Sequence, residues 1–187
     1  MQKVQRTGSY YAIIDTPLGA MQALAEHHPD AGGACSAVLT RLDFTDTLSL
    51  PRTADCAEAP DLPLFGALRA WLTTYFSGED PSATHCAAPP LFARGSAFQE
   101  HVWDLLLRIP YGATTSYGAL AAAVAAKRRI PVMAAQAVGG AIGRNPISII
   151  IPCHRVIGAN GALTGYGGGL ERKRFLLKLE DAFTDAL

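Results

Sequence analysis

Residues 145–169 constrain this chain more than any other segment. They run Asn-Pro-Ile-Ser-Ile-Ile-Ile-Pro-Cys-His-Arg-Val and then into glycines at 158, 161, 165, 167, 168 and 169. Ile147–Ile151 is too apolar to face water and too short for a helix, so it predicts a buried strand. Pro152 lacks an amide hydrogen and ends any ladder there. The bare backbone that follows either turns sharply or lets a flat ligand lie against its N–H and C=O groups. Such a chain needs a core that swallows the isoleucines and leaves a glycine loop at their end. Cys153 sits at that junction, an unusual place for a cysteine whose only job is packing.

The rest of the chain can supply the core. Of its 187 residues, 49% are hydrophobic and 17% charged, which excludes disorder and allows one large domain or two small ones. No apolar run reaches the roughly 18 residues that span a bilayer. Met1–Arg6 lacks the apolar core of a signal peptide, so a cytoplasmic protein with no membrane partner is expected. Cys35, Cys56, Cys86 and Cys153 show neither paired spacing nor a neighbouring histidine pattern for zinc, and the first three read as packing or incidental. Charge is uneven: residues 1–94 hold 6 Lys/Arg against 10 Asp/Glu, and residues 95–187 hold 10 against 6. A basic second half suits a polyanion, although chance imbalance gives the same count.

The first half reads as strands and one helix. Tyr10–Asp15 is strand-like, Thr16-Pro17-Leu18-Gly19 turns, and Ala20–Ala25 returns despite poor β propensity. Ala34–Phe44 offers another strand, with Val38, Leu42 and Phe44 on one face. Pro60–Ser77 repeats apolar residues every three or four and stops at Gly78, as a helix does. Glu79–Ala93 reads as a linker. Beyond it, Ser96 caps a helix through Ile109, Ser116 caps another over Tyr117–Ala126, and a thin helix of small residues covers Val132–Ile142. The last two read either as a helix-turn-helix or as an Ala-rich packing pair. A final helix over Glu171–Asp181 turns Phe175, Leu176 and Leu179 inward and Arg172, Lys173, Arg174 and Lys178 outward.

A cysteine thiol titrates near ~8.5 and needs help to react at neutral pH. His154 is adjacent, but neighbours on an extended strand face opposite ways. The two cooperate only if the backbone turns at Pro152 or a water bridges them. A histidine base also needs an acceptor on its other nitrogen, for which Glu180 is a candidate. Asn145 can brace the turn, and Tyr166 can offer an aromatic wall.

Together, Asn145-Pro146, the apolar run, Pro152-Cys153-His154-Arg155-Val156, the Gly165-Tyr166-Gly167-Gly168-Gly169 turn and Glu180 resemble the O6-alkylguanine-DNA alkyltransferases, also called methylated-DNA–protein-cysteine methyltransferases. The resemblance covers about Phe98 to Asp181. It implies an N-terminal α/β domain over 1–88, ribonuclease-H-like with a small sheet plus helix. It implies a mainly α C-terminal domain over 95–187, with a winged-helix-like helix-turn-helix in the minor groove of double-stranded DNA. A flipped O6-alkylguanine, or O4-alkylthymine, would give its alkyl group irreversibly to Cys153.

In that scheme His154 activates Cys153 through a water, Glu180 orients His154, Asn145 holds the turn and Tyr117 hydrogen-bonds a guanine ring nitrogen. The carbonyls of Cys153 and Val156 read the exocyclic amine, while Tyr166 and Gly167 line the alkyl side. Gln136, Ala135, Gly139, Arg128 and Arg144 face DNA, and Arg155 braces the helices. The implied protein is a monomer without metal or organic cofactor. This chain departs from the pattern in three places: Gln136 stands where many members place an intercalating arginine, Gly167 where some carry serine, and the connection holding Lys127, Arg128 and Arg129 is longer. The competing readings are a Cys-His hydrolase, which needs an oxyanion hole, a binding-only damage reader, which lacks the cysteine, and a transcriptional regulator, which carries an added zinc-binding cysteine domain.

Overall fold

The computed structural model describes residues 8–29, 35–47, 53 and 55–183. The described residues divide into two compact units, one from Met1–Ser77 with Pro81–Ala93 and the other from Gly78–Asp80 with Arg94–Leu187.

In the first unit β1 (Ser9–Ile14) turns back into β2 (Met21–Pro29). Gly19, at φ 110, donates its N–H to the Thr16 carbonyl at 3.0 Å, closing the turn. β2 forms despite its alanines because Met21, Ala23 and Ala25 are all completely buried, and burial outweighs propensity. β3 (Cys35–Phe44) pairs with β2 through a bulge: Leu24 faces Arg41 but Ala25 faces Leu39, leaving Thr40 as the extra residue. The bulge changes the expected register, so Leu39 joins Leu42 and Phe44 in the core while Val38 is half-buried. Ala34 and the side chain of Cys35 lie outside the described residues.

β4 (Ala57–Glu58) lies parallel to β1, and the sheet order is β3-β2-β1-β4. Helix α1 (Pro63–Phe76) begins on proline and buries Leu64, Phe65, Leu68, Trp71, Leu72 and Tyr75. Residues 90–92 are more than linker: Leu39 N–H donates to the Pro90 carbonyl and Phe92 N–H to the Leu39 carbonyl, both at 2.8 Å.

The second unit opens with α2 (Ala97–Leu106), whose Ser96–Gln99 pair caps reciprocally. α3 (Tyr117–Arg128) is capped by Ser116 and continues past the expected Ala126 through Lys127 and Arg128, whose charges suit a helix C-terminus. α4 (Ala135–Ile142) starts later than the expected Val132. Val132 has nothing to bury against there, being 79% exposed, so packing does not extend the helix. Trp103 Nε1–H donates to the Ala141 carbonyl at 3.0 Å, tying α4 to α2. β5 (Thr115–Ser116) and β6 (Val156–Ile157) form a short parallel pair, and α5 (Leu170–Leu179) closes the unit.

The expected strand at Ile147–Ile151 is not one. Its residues are buried but coiled into turns, with Ile151 N–H bonding the Ile147 carbonyl at 3.1 Å. Ile149 takes φ 70, rare for a β-branched residue. No described helix is long and apolar enough to cross a membrane.

Candidate active site

Asn145 explains why the isoleucines coil. Its Oδ1 accepts from Ile147 N–H at 3.0 Å, and its Nδ2 donates to the Ile151 carbonyl at 2.8 Å. One amide therefore satisfies backbone groups that a strand would have paired with a ladder. The same Nδ2 lies 3.1 Å from Cys153 Sγ. A donor there favours the charged sulfur over the neutral one.

Cys153–Arg155 forms a 3-10 turn rather than extended chain, so Cys153 and His154 escape the opposite-facing geometry of a strand. Cys153 is 6% exposed and His154 fully enclosed. His154 Nε2 lies 2.8 Å from Glu180 Oε1. Arg155 clamps the same carboxylate, Nε to Oε2 at 2.8 Å and an Nη to Oε1 at 3.1 Å, and donates its other Nη to the Ile109 carbonyl at 2.6 Å. Gly112 N–H adds a longer contact to Oε2 at 3.4 Å.

The charges follow. Burial pushes the Glu180 carboxyl up, but hydrogen bonds from His154 and Arg155 outweigh it and hold it down to about 2. Burial lowers the His154 pKa and wins over the Glu180 hydrogen bond and charge that raise it. A neutral imidazole beside a carboxylate donates Nε2–H to it, which makes Nδ1 the basic nitrogen.

Lys173 was expected outward and is completely buried. Its Nζ donates to the carbonyls of Val156 at 2.6 Å, Thr164 at 2.7 Å and Gly165 at 3.3 Å. Burial pulls the ammonium down to about 8, with the Cys153 charge acting the other way. Phe175, expected inward, is 41% exposed. Both errors have one cause: α5 turns the stripe 173, 176, 177 and 180 inward, so the acid and the lysine share a face with Leu176 and Leu177. That spacing was the available signal.

Tyr117 OH donates to the Thr164 carbonyl at 3.0 Å, and burial pushes its phenol up, so it stays protonated. The Val156 carbonyl is occupied by Lys173, and Val156 N–H returns to the Cys153 carbonyl. Each oxygen keeps a second lone pair for a ligand. Tyr166 is half-buried, its ring 6.4 Å from that of His154 and nearly perpendicular. Gly167 is exposed, and a Cβ there would meet nothing within 4 Å.

The candidates for facing DNA lie on and around α3 and α4, and one of them reaches the site tyrosine. Ala135 and Gln136 are exposed on the first turn of α4, and Gly139 sits against Tyr117, where a Cβ would lie 3.6 Å from the ring. Arg144 donates to the Gly140 carbonyl at 3.0 Å, and the Arg128 guanidinium stacks 5.2 Å from the Phe98 ring centroid.

A nearly buried thiol beside a buried histidine–carboxylate pair, carried by a helical unit, defines a cysteine-nucleophile protein. Comparison with known proteins narrows the class. The family model for the 6-O-methylguanine DNA methyltransferase DNA-binding domain matches residues 97–182. A methylated-DNA–protein-cysteine methyltransferase of Methanosarcina acetivorans is 51% identical, with 91% of this chain and 97% of that protein aligned. Its Mycobacterium bovis counterpart is 44% identical over 91% of this chain and 92% of that one. A crystal structure of Mycobacterium tuberculosis OGT in complex with DNA superposes with a TM-score of 0.73 at 41% identity, covering 92% of this chain and 93% of that chain. The chain belongs to the methylated-DNA–protein-cysteine methyltransferase family.

Proposed function

We propose that this protein repairs DNA by direct reversal, moving the alkyl group of O6-alkylguanine to Cys153. The observation that carries the reading is the buried Glu180–His154 pair, its histidine adjacent in sequence to a thiol that Asn145 contacts. The thiol proton passes through a water to His154 Nδ1, and Glu180 compensates the imidazolium charge. Sγ then attacks the alkyl carbon in one displacement. The C–S bond forms, the C–O bond breaks, and its electron pair leaves on the guanine. Tyr117, released from the Thr164 carbonyl, donates to a ring nitrogen and makes guanine the better leaving group.

The product thioether has no leaving group comparable to a thioester, and Cys153 is the only sulfur in its motif. Each molecule therefore acts once. One copy of the chain supplies every residue of the cluster, which supports action as a monomer.

The partner is duplex DNA approached from the minor groove, with the damaged base turned out of the stack, since a stacked O6 lies beyond a nearly buried thiol. What supports a helix-turn-helix is α3 and α4 joined through 129–134, with Gln136 exposed on the second helix. What supports a ribonuclease-H-like first unit is the β3-β2-β1-β4 order with β4 parallel to β1. Incubation with duplex DNA carrying one O6-methylguanine is expected to add one methyl group per protein, on Cys153. Intact-mass and peptide mass spectrometry read the adduct. Unmodified protein at full binding would overturn the reading.

A further inference from the structure

The segment joining α3 to α4 carries an exposed apolar tip that follows three cations in sequence. Ile130 is 38% and Val132 79% exposed, the latter more than any other large hydrophobic residue described. Pro131 between them is exposed too, and Lys127, Arg128 and Arg129 precede them. A solvated connection has no need of isoleucine and valine, and water exacts a free-energy cost for each.

The tip is also held in place. Arg129 N–H bonds the Ala126 carbonyl at 3.2 Å and Ile130 N–H the Ala125 carbonyl at 3.1 Å, a Schellman-type closure of α3. Arg129 adopts φ 54, a position that ordinarily falls to glycine. A charged side chain is thus kept where the backbone would prefer none. Three residues beyond Val132 begins α4, with Ala135 and Gln136 exposed on its first turn.

We infer that Ile130–Val132 is a second DNA-contacting element, an apolar tip that loses water against the sugar walls of the groove beside the flipped base while Arg129 meets a phosphate. The inference rests on the DNA reading above and adds an element to it. Its occupant is named by charge complementarity and by continuity with α4 inside the matched DNA-binding region. Proteins of the minor groove use apolar side chains next to cations in this way. The tip offsets part of the hold that uncharged Gln136 does not provide.

The test is binding to an undamaged duplex, measured by anisotropy across a salt series with the full chain. Ile130→Ser/Val132→Ser removes no charge. It is expected to weaken binding about tenfold, the loss for partly burying two branched side chains, while leaving the slope of log K against log salt unchanged. Arg129→Gln is expected to lower the magnitude of that slope by about 0.9. Val132→Trp supplies a positive signal: the introduced indole should blue-shift or quench on DNA, against native Trp71 and Trp103, which are nearly buried.

Wild-type affinity in the serine double variant, an altered slope in it, or indole emission unmoved by DNA would each overturn the inference. Absence of DNA binding by the wild type would instead overturn the DNA reading itself.

Discussion

In the proposed mechanism Cys153 and Glu180 sit at the two ends of one proton path, and their replacements separate chemistry from architecture. Cys153→Ser keeps the Asn145 contact in kind but replaces the thiol with a hydroxyl that stays protonated at neutral pH. It should bind duplex DNA within about twofold of the parent and take up no methyl group, read by anisotropy and intact mass. Glu180→Gln keeps the shape and removes the charge that two cationic or polar partners share. Transfer should slow on the order of 10²-fold, as for loss of a general-base system. Stability should fall by about 3 kcal/mol, because the Arg155 guanidinium is left without its carboxylate. Single-turnover kinetics and denaturant unfolding check the two losses. The cysteine, the histidine, the glutamate and the asparagine were all legible as residues. Their connection was not: that Asn145 touches both Ile151 and Cys153 depends on a coiled turn which four near-continuous isoleucines do not announce.

The elements show where periodicity informs and where it misleads. The hairpin of β1 and β2, helix α1 and the two serine-capped helix starts follow from turn residues and spacing that act locally. The errors arise where tertiary partners replace local ones. Thr40 slips the register of β3, Ile147–Ile151 coils around one amide, and Lys173 turns into the fold. A buried lysine is costly unless its hydrogen bonds are met, and here α5 delivers it to three carbonyls from β6 and the glycine loop. Lys173 thereby joins β6 to the glycine loop. Lys173→Met, of similar length, should leave those carbonyls without their donor and destabilise the protein by about 3 kcal/mol. Methyl transfer should slow more than DNA binding weakens, since the loop at Thr164 and Gly165 holds the Tyr117 hydroxyl. A variant as stable and as fast as the parent would remove any positioning role for this lysine.

At the scale of the whole molecule, acid and salt probe different parts. Glu180 titrates near 4.5 when unfolded and is held at about 2 when folded. The unfolded chain binds the proton more readily between those values. The stabilisation is therefore fully present above about pH 4.5 and is lost as pH falls toward 2, roughly 3 kcal/mol in all. Urea unfolding across that window should show the loss in the parent and its absence in Glu180→Gln.

Salt addresses the charge asymmetry, 10 Lys/Arg against 6 Asp/Glu in residues 95–187, visible in the sequence without any indication of which cations meet phosphate. The structure already occupies two of them: Arg128 stacks on Phe98, and Arg144 binds the Gly140 carbonyl. Gln136 is exposed on the first turn of α4 and carries no charge, so the position has room for a cation and a direct test. Gln136→Arg adds a planar guanidinium that can stack beside the vacated base and pair with phosphate. Affinity for duplex DNA should rise about tenfold, corresponding to ~1.4 kcal/mol. If phosphate is the new partner, the salt slope should steepen by about 0.9. If stacking carries the gain, the slope should hold while affinity still rises. Unchanged affinity at every salt concentration would mean that Gln136 does not face the DNA and that another residue of α4 fills the gap.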